Sequence, residues 1–324
     1  MEIIPFVCGI ALVLLVLLQL GLSLSHSVRR LGSEAVLDRL ALREWKHRVK
    51  AAQLRVEKTE DEKEHWSGWR KFEVRRKMFE NELKDICSFY LYPHDRRPLP
   101  PFKPGQFLMV KAEIPDPDDP YSTIEEQRCF SLSDSHNPRY YRVSIKACPP
   151  PRENPDNFPP GLVSNHMHLA VNEGDLIDIQ APSGDFFLDL ESNTPVVLNA
   201  GGVGITPVLS MLNSIVARGT PREVWFFYGV RGPKELVMMQ ALRHAVDNMK
   251  NIHIVICFSD ESIDGLEEVH GMENSSIQYQ RGRVGVDLYK QLLPSNNYTY
   301  YTCGPEPMML GIEKQLIEWG VPKN

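Results

Sequence analysis

Pro195-Val-Val-Leu-Asn-Ala-Gly-Gly-Val-Gly-Ile-Thr-Pro207 is the stretch on which the fold turns. Val196 to Leu198 is an apolar run of the length and composition of a buried strand. The run breaks at Gly201, Gly202 and Gly204. Beyond it, from Val208 to Ala217, the residues Leu209, Leu212, Ile215 and Val216 recur at helical spacing. Strand, glycine turn and helix start together present backbone N–H groups at the positive end of a helix, where a pyrophosphate can sit. Pro207 suits the first helical turn, where its missing N–H costs nothing. A glycine-rich βα turn with no ligand satisfies the same pattern, so the motif alone leaves both readings open.

Downstream the pattern alternates. Glu223 to Tyr228, Ile252 to Phe258 and Tyr298 to Thr302 read as further strands, with helical stretches at Glu235 to Asn248 and Val286 to Leu293. This alternation predicts a doubly wound parallel sheet over residues 191–324. Upstream, Phe72 to Val74, Ile86 to Tyr92, Phe107 to Ala112, Tyr140 to Lys146 and Leu176 to Gln180 are short β-forming runs bounded by proline, glycine and aspartate. They predict a small antiparallel β-barrel over residues 69–190. The expected fold is thus two-domain, β followed by α/β.

A chain of 324 residues accommodates two such units and an appendage. Its net charge of -6 excludes the basic footprint of a nucleic-acid partner. The six cysteines include no Cys-x-x-Cys pair, which argues against structural zinc or an iron–sulfur cluster held within this chain. Ile3 to Leu24 is almost wholly apolar and long enough to span a bilayer core. Glu2 precedes it and no small-x-small cleavage site follows, which favours an uncleaved anchor over residues 1–28 against a signal peptide. Arg29, Arg30, Arg39, Arg43, Lys46, Arg48 and Lys50 then place everything downstream on the cytoplasmic side of a single-pass membrane protein. Residues 29–68 read as a charged helical linker, with a corner at Trp66-Ser-Gly-Trp69.

The barrel region contains Pro104-Gly-Gln-Phe107, Arg128-Cys-Phe-Ser131, Tyr141-Arg-Val-Ser-Ile-Lys146 and Gly161-Leu-Val-Ser164-Asn165. The sheet region contains Gly202-Val-Gly204-Ile-Thr-Pro207, Tyr228-Gly-Val-Arg231 and Cys303-Gly-Pro-Glu-Pro-Met308. In this order the motifs resemble the ferredoxin–NADP reductase superfamily, and most closely the reductase portion of flavohaemoglobins and of oxygenase-coupled reductases. The resemblance covers Trp69 to the end of the chain. It implies FAD on the barrel and NADH or NADPH on the sheet. Arg128, in a segment with Cys129 and Phe130, matches the arginine that pairs with a flavin phosphate, and Phe130 stands where the family usually has tyrosine. Ser131 matches the hydroxyl near flavin N5. Ser144 and Lys146 fall on the segment that resembles the strand beside the flavin, and Gly161, Val163 and Ser164 match the helix start that receives its diphosphate. Gly202, Gly204 and Pro207 match the nicotinamide-dinucleotide turn, Thr206 a residue near the carboxamide, and Arg231 the adenosine ribose position. Cys303, Gly304, Pro305 and Met308 match the motif beside the nicotinamide ring, so Ser131 and Cys303 are the catalytic candidates. His166 and His168 are expected at the surface rather than as a metal pair.

The resemblance also implies a last strand about where this sequence stops, at Gly320-Val-Pro-Lys-Asn324, so that either the C-terminus is truncated or nothing covers that face of the flavin. With no haem or iron–sulfur segment, the electron acceptor is expected in a separate protein or domain (haem or iron–sulfur) or in a quinone. The implied activity is that of a membrane-anchored flavin oxidoreductase. A non-catalytic, membrane-tethered nucleotide-binding module, or an inactive fragment, stands as the alternative.

Overall fold

The computed structural model describes residues 65–116, 119, 121–150, 160–260 and 277–322. The anchor expected over 1–28, the linker up to residue 64 and most of the loop 149–160 lie outside the described residues. Among the described residues no helix is long and apolar enough to cross a membrane.

Six strands form the first sheet: β1 (Arg70–Phe79), β2 (Ile86–Pro93), β3 (Phe107–Pro115), β4 (Thr123–Ser131), β5 (Tyr141–Lys146) and β6 (Leu176–Ile179). Their order is β4-β3-β6-β1-β2-β5, and each neighbouring pair is antiparallel. The outer strands approach at one isolated bridge, Leu132 to Val143, just past the end of β4. The sheet is therefore a curled half-barrel rather than the fully laddered barrel expected from strand count. Its interior is closed by side chains: Phe72, Val74, Phe89, Leu91, Leu108, Val110, Val143 and Ile145 form one buried cluster. Helix α1 (Leu162–Leu169) adds Val163 and Met167 to that cluster. Trp66 packs against it, its ring 6.4 Å from Tyr141 and its Nε1 donating to the Ile179 carbonyl at 3.3 Å. The corner that brings Trp66 there is made at Gly68, whose φ is 73°.

The second sheet is all parallel, in the order β10-β9-β8-β7-β11. Its strands are β7 (Val196–Gly201), β8 (Val224–Val230), β9 (Ile252–Phe258), β10 (Ile277–Arg281) and β11 (Thr299–Cys303). Runs such as Val-Trp-Phe-Phe-Tyr in β8 are continuously apolar because helices cover both faces. Leu198, Phe226 and Ile254 pack with α2 (Ile205–Arg218) and α3 (Met239–Asn248). Val197, Phe227 and Val255, one residue out of phase, pack with α4 (Val286–Leu292) and α5 (Glu306–Glu318). Strand alternation thus divides one apolar run between two cores.

The helix expected from Glu235 starts later. Glu235 ends a short 3-10 turn, Pro233–Glu235, and Met238 takes a left-handed φ of 60° before α3 begins at Met239. Strands β4 and β10 and helix α5 are additions to the elements read from the sequence.

Candidate active site

The strand order reverses between β7 and β11, since the strands running outward from β7 are β8, β9 and β10 on one side and β11 on the other. Ligands of open α/β sheets bind at the carboxyl ends of strands beside such a reversal. Here those ends carry the glycine turn and the Cys303 segment. Cys303 is opposite Ala200 in the β7–β11 ladder. The register is held by Asn199, which is fully buried and satisfied at both ends. Its Nδ2 donates to Thr302 Oγ1 at 3.0 Å, and its Oδ1 accepts from the Tyr289 hydroxyl at 2.7 Å.

The glycines serve different physical needs. Gly202 has φ 52° and open space where a Cβ would lie, so conformation is what requires glycine there. Gly204 is limited by contact: a Cβ would overlap the Cys303 carbonyl group and come within 2.7 Å of the Gly304 nitrogen. The Cα of Gly201 lies 3.1 Å from the Cβ position of Gly304, and the Met308 sulfur fills the gap beside both. Pro305 caps α5, and its ring also sits against Gly201. No side chain caps α2, and its first turn carries no acidic residue. Thr206 donates its hydroxyl hydrogen to the Val203 carbonyl at 3.1 Å, stiffening the turn. Pro207 is buried in the same first turn. Burial raises the pKa of the Cys303 thiol, so at neutral pH it is an uncharged group of modest size.

On the half-barrel, β4 is an edge strand and Ser131 is its last residue. Arg128 pairs with Val110 and Phe130 with Leu108, so these two share the face of the strand turned to the core side. Phe130 packs on that core, and Arg128 reaches solvent. Cys129 and Ser131 occupy the other face, with Met109 and Phe107 opposite them. Cys129 Sγ lies 3.8 Å from Met109 Sδ. Gly161 begins α1, and a Cβ there would lie 2.7 Å from Ser164 Oγ and 2.8 Å from Cys148 Cβ. Asn165 fixes this junction through both its amide groups, accepting from Cys148 N–H at 2.8 Å and donating to Cys148 C=O at 2.9 Å. Val163 faces the core instead. His168, expected at the surface, is buried, with Nε2 2.7 Å from the Ile145 carbonyl oxygen; burial lowers its pKa.

A cavity of about 600 Å³ opens at the carboxyl edge of the parallel sheet, lined by Gly202, Arg231, Glu235, Ser259, Met308 and, from the half-barrel, Lys146. Arg231 donates from Nε to Glu235 Oε1 at 2.6 Å and from its backbone N–H to Oε2 at 3.1 Å, with Nη2 also on Oε1. Burial alone would raise the Glu235 pKa, but the bonds from Arg231 outweigh it and hold the carboxyl below its ordinary value. Lys146 pairs with Asp85 at 3.2 Å.

The structure therefore gathers Gly202, Gly204, Thr206, Pro207, Cys303, Gly304, Pro305 and Met308 at one place, with Arg231 and Lys146 along the same cavity. Ser144 is placed differently. It is buried, and its hydroxyl is engaged by Ser88 at 2.6 Å and Ser133 at 2.8 Å. Glu235 is absent from the residues singled out in the sequence, because Arg231 and Glu235 meet across a short 3-10 turn rather than along a helix face. The donor set fits the two implied cofactors. The Arg128 guanidinium and the Ser131 hydroxyl have no hydrogen-bond or ion-pair partner among the described residues, and the turn at Gly202 exposes backbone.

Residues 198–314 match the oxidoreductase NAD-binding domain family. The flavohemoprotein of Halalkalibacterium halodurans is 34% identical over 80% of this chain and 59% of that protein. The flavohemoprotein of Rhizobium meliloti is 34% identical over 82% of this chain and 61% of that protein. The chain thus spans about three fifths of the length of these relatives. The crystal structure of the flavohem-like FAD/NAD-binding domain of nitric oxide dioxygenase from Vibrio cholerae superposes with a TM-score of 0.65 at 31% identity, covering 78% of this chain and 94% of that one. The cytochrome b5 reductase domain of Ulva prolifera nitrate reductase, at 16% identity and a TM-score of 0.65, covers 79% of this chain and 95% of that one and shares the fold. This chain belongs to the ferredoxin–NADP reductase superfamily. It is an NAD(P)H-dependent flavin oxidoreductase that uses FAD, similar over most of its length to flavohemoproteins.

Proposed function

We propose that the chain is a membrane-anchored reductase that draws on NADH in preference to NADPH and passes single electrons to a separate acceptor. A haem or iron–sulfur protein or domain, or a quinone, meeting it at the cytoplasmic membrane face, is the acceptor class. One observation carries the two-cofactor reading. The cavity beside the glycine turn is lined from both domains, with Lys146 of the half-barrel facing the same space as Gly202 and Met308. When bound, the nicotinamide supplies hydride and the flavin divides it into single-electron steps. The chain's residues supply placement. The turn at Gly202 to Gly204 and the free start of α2 receive a diphosphate. Ser131 and Arg128 offer unspent donors to the flavin nucleotide, and the neutral Cys303 thiol contributes shape without charge. NADH is preferred because Glu235 occupies the Arg231 donors that a 2′-phosphate would require, and adds a negative charge beside them.

The anchor rests on the apolar stretch Ile3 to Leu24 and the basic residues after it. The test is anaerobic reduction of the purified full chain, loaded with FAD, by NADH and NADPH separately, followed by reoxidation with each acceptor class. Bleaching of the flavin by NADH is expected; a folded, flavin-loaded sample that neither nucleotide bleaches would overturn the reading. Partition of the full chain into the membrane fraction, with its first residues intact by mass spectrometry, is expected for the anchor.

A further inference from the structure

The segment immediately after Ser131 makes a contact that the two-cofactor reading does not require. Leu132 N–H donates to the Gln106 carbonyl at 2.9 Å and Ser133 N–H to the Arg142 carbonyl at 2.9 Å, so the chain leaving β4 is pinned. Arg142, a buried cation, donates from Nε to Ser133 Oγ at 3.1 Å and from Nη2 to the Ser133 carbonyl. Its Nη1 lies 3.5 Å from Asp134 Oδ2. Asp134 then reaches across to the nucleotide domain. Its carbonyl accepts from Ser210 Oγ at 2.7 Å, and its Oδ1 accepts from Asn213 Nδ2 at 2.8 Å.

Ser210 and Asn213 are three residues apart on α2 and so share a face of the helix that begins at the glycine turn. Ser210 is fully buried. A cleft of about 500 Å³, lined by Asp134, Arg142, Asn213, Met238 and His244, opens beside this latch, while Met211, the next residue of α2, packs against Gly105 of the half-barrel. Ile205 is five residues from Ser210, or roughly 7.5 Å along the helix. Asp134 is three residues from Ser131. The latch therefore fastens the end of β4 to the start of α2 at points close to both halves of the site.

We propose that Asp134 and Arg142 are positioning residues that set the distance and angle between the strand end carrying Ser131 and the glycine-turn helix, which rests on the two-cofactor reading above. Neither touches a reacting atom. Buried Arg142 holds the Asp134 carboxylate in place, and Asp134 holds α2.

Asn213→Asp sets two carboxylates against each other and opens the latch. The double variant Asp134→Asn/Asn213→Asp restores a donor–acceptor pair with the roles reversed. With the FAD-loaded full chain, Asn213→Asp should slow flavin reduction at saturating NADH by about 10- to 100-fold, the cost of small misplacements in hydride geometry. The NADH concentration giving half-maximal rate should stay within about twofold, because the nucleotide cavity is untouched, and the double variant should recover most of the rate. The second readout needs no cofactor. Amide hydrogen exchange in the first two turns of α2 should quicken in Asn213→Asp and return in the double variant. Ser210→Ala, which removes one bond without adding charge, should give a smaller effect of the same kind and serves if Asn213→Asp fails to fold. Wild-type rates and exchange in Asn213→Asp, or a double variant no better than the single one, would overturn the latch. A wild-type chain reduced by neither nucleotide would instead remove the two-cofactor reading, while the exchange comparison still judges the latch.

Discussion

Gly204→Ala tests whether the strand ends at the reversal point must touch for the site to work. A methyl group on Gly204 would lie 2.5 Å from the Cys303 carbonyl carbon and 2.7 Å from the Gly304 nitrogen. Both are backbone atoms, at the end of β11 and one residue past it, and β11 is fixed by its ladder to β7, so no flexible side chain can yield. Reaching an ordinary contact of about 3.4–3.5 Å requires the two ends to part by about 1 Å. Overpacking of this kind costs about 1–3 kcal/mol of stability, and a displacement of about 1 Å can lower a positioned reaction ~100-fold. Gly202→Ala is the control. It meets no atom, and its cost is that of a left-handed alanine, about 1–2 kcal/mol. The assay is stopped-flow bleaching of the flavin by NADH, alongside thermal unfolding of each variant. Gly204→Ala should lose rate far beyond Gly202→Ala at comparable loss of stability. Equal rates in the two variants would refute the claim that the β7–β11 contact shapes the nicotinamide site.

Three further outcomes are expected. Glu235→Gln, by releasing Arg231, should raise the NADPH-to-NADH ratio of kcat/KM about tenfold, or ~1.4 kcal/mol; an unchanged ratio would remove Glu235 from cofactor choice. Ser131→Ala should slow flavin reduction while flavin content, read from the absorbance spectrum, stays the same, and an unaltered rate would take Ser131 out of the reaction. His168 should make stability acid-sensitive: its folded pKa is lowered by burial, so the unfolded chain takes up the proton more readily. That stability is present in full above the ordinary value of 6.5 and is lost as pH falls from there through the lowered folded value. His168→Gln should flatten the melting temperature between pH 7.5 and pH 5 measured by calorimetry, and a slope equal to that of the wild type would contradict the assignment.

The elements legible in the sequence are those whose burial leaves a simple pattern. β7, β8 and β9 are apolar apart from Asn199 and His253 because both faces are covered, and the glycine turn is marked by its composition. β4 was not legible as a strand. Thr-Ile-Glu-Glu-Gln-Arg-Cys-Phe-Ser lies at a sheet edge, is mostly exposed and has no apolar run. β10, Ile-Gln-Tyr-Gln-Arg, is an edge strand of the same kind. In α5 only Ile312 and Leu316 are buried, too few for a periodic signal over thirteen residues. The site divides along the same line. Its glycines, Ser131 and Cys303 sit in motifs, whereas Asp134 acts through Ser210 and Asn213, more than seventy residues away, and no local spacing announces that. Ser144 shows the converse, since alternation along β5 is equally consistent with a hydroxyl turned toward a ligand and one sealed between Ser88 and Ser133.

The strand order has a consequence for synthesis of the chain. β7 pairs on one side with β8, which follows it closely, but on the other with β11, where Thr299 meets Val196. About 100 residues separate those partners, or ~5–20 s of translation at typical rates. During that interval one edge of β7 is an open template for intruding strands, and the glycine turn has no opposing wall. The grip on a dinucleotide thus waits on β11, synthesised about 100 residues after the strand it must join. Nucleotide in the surrounding fluid meets a two-walled site only once β11 has docked beside β7.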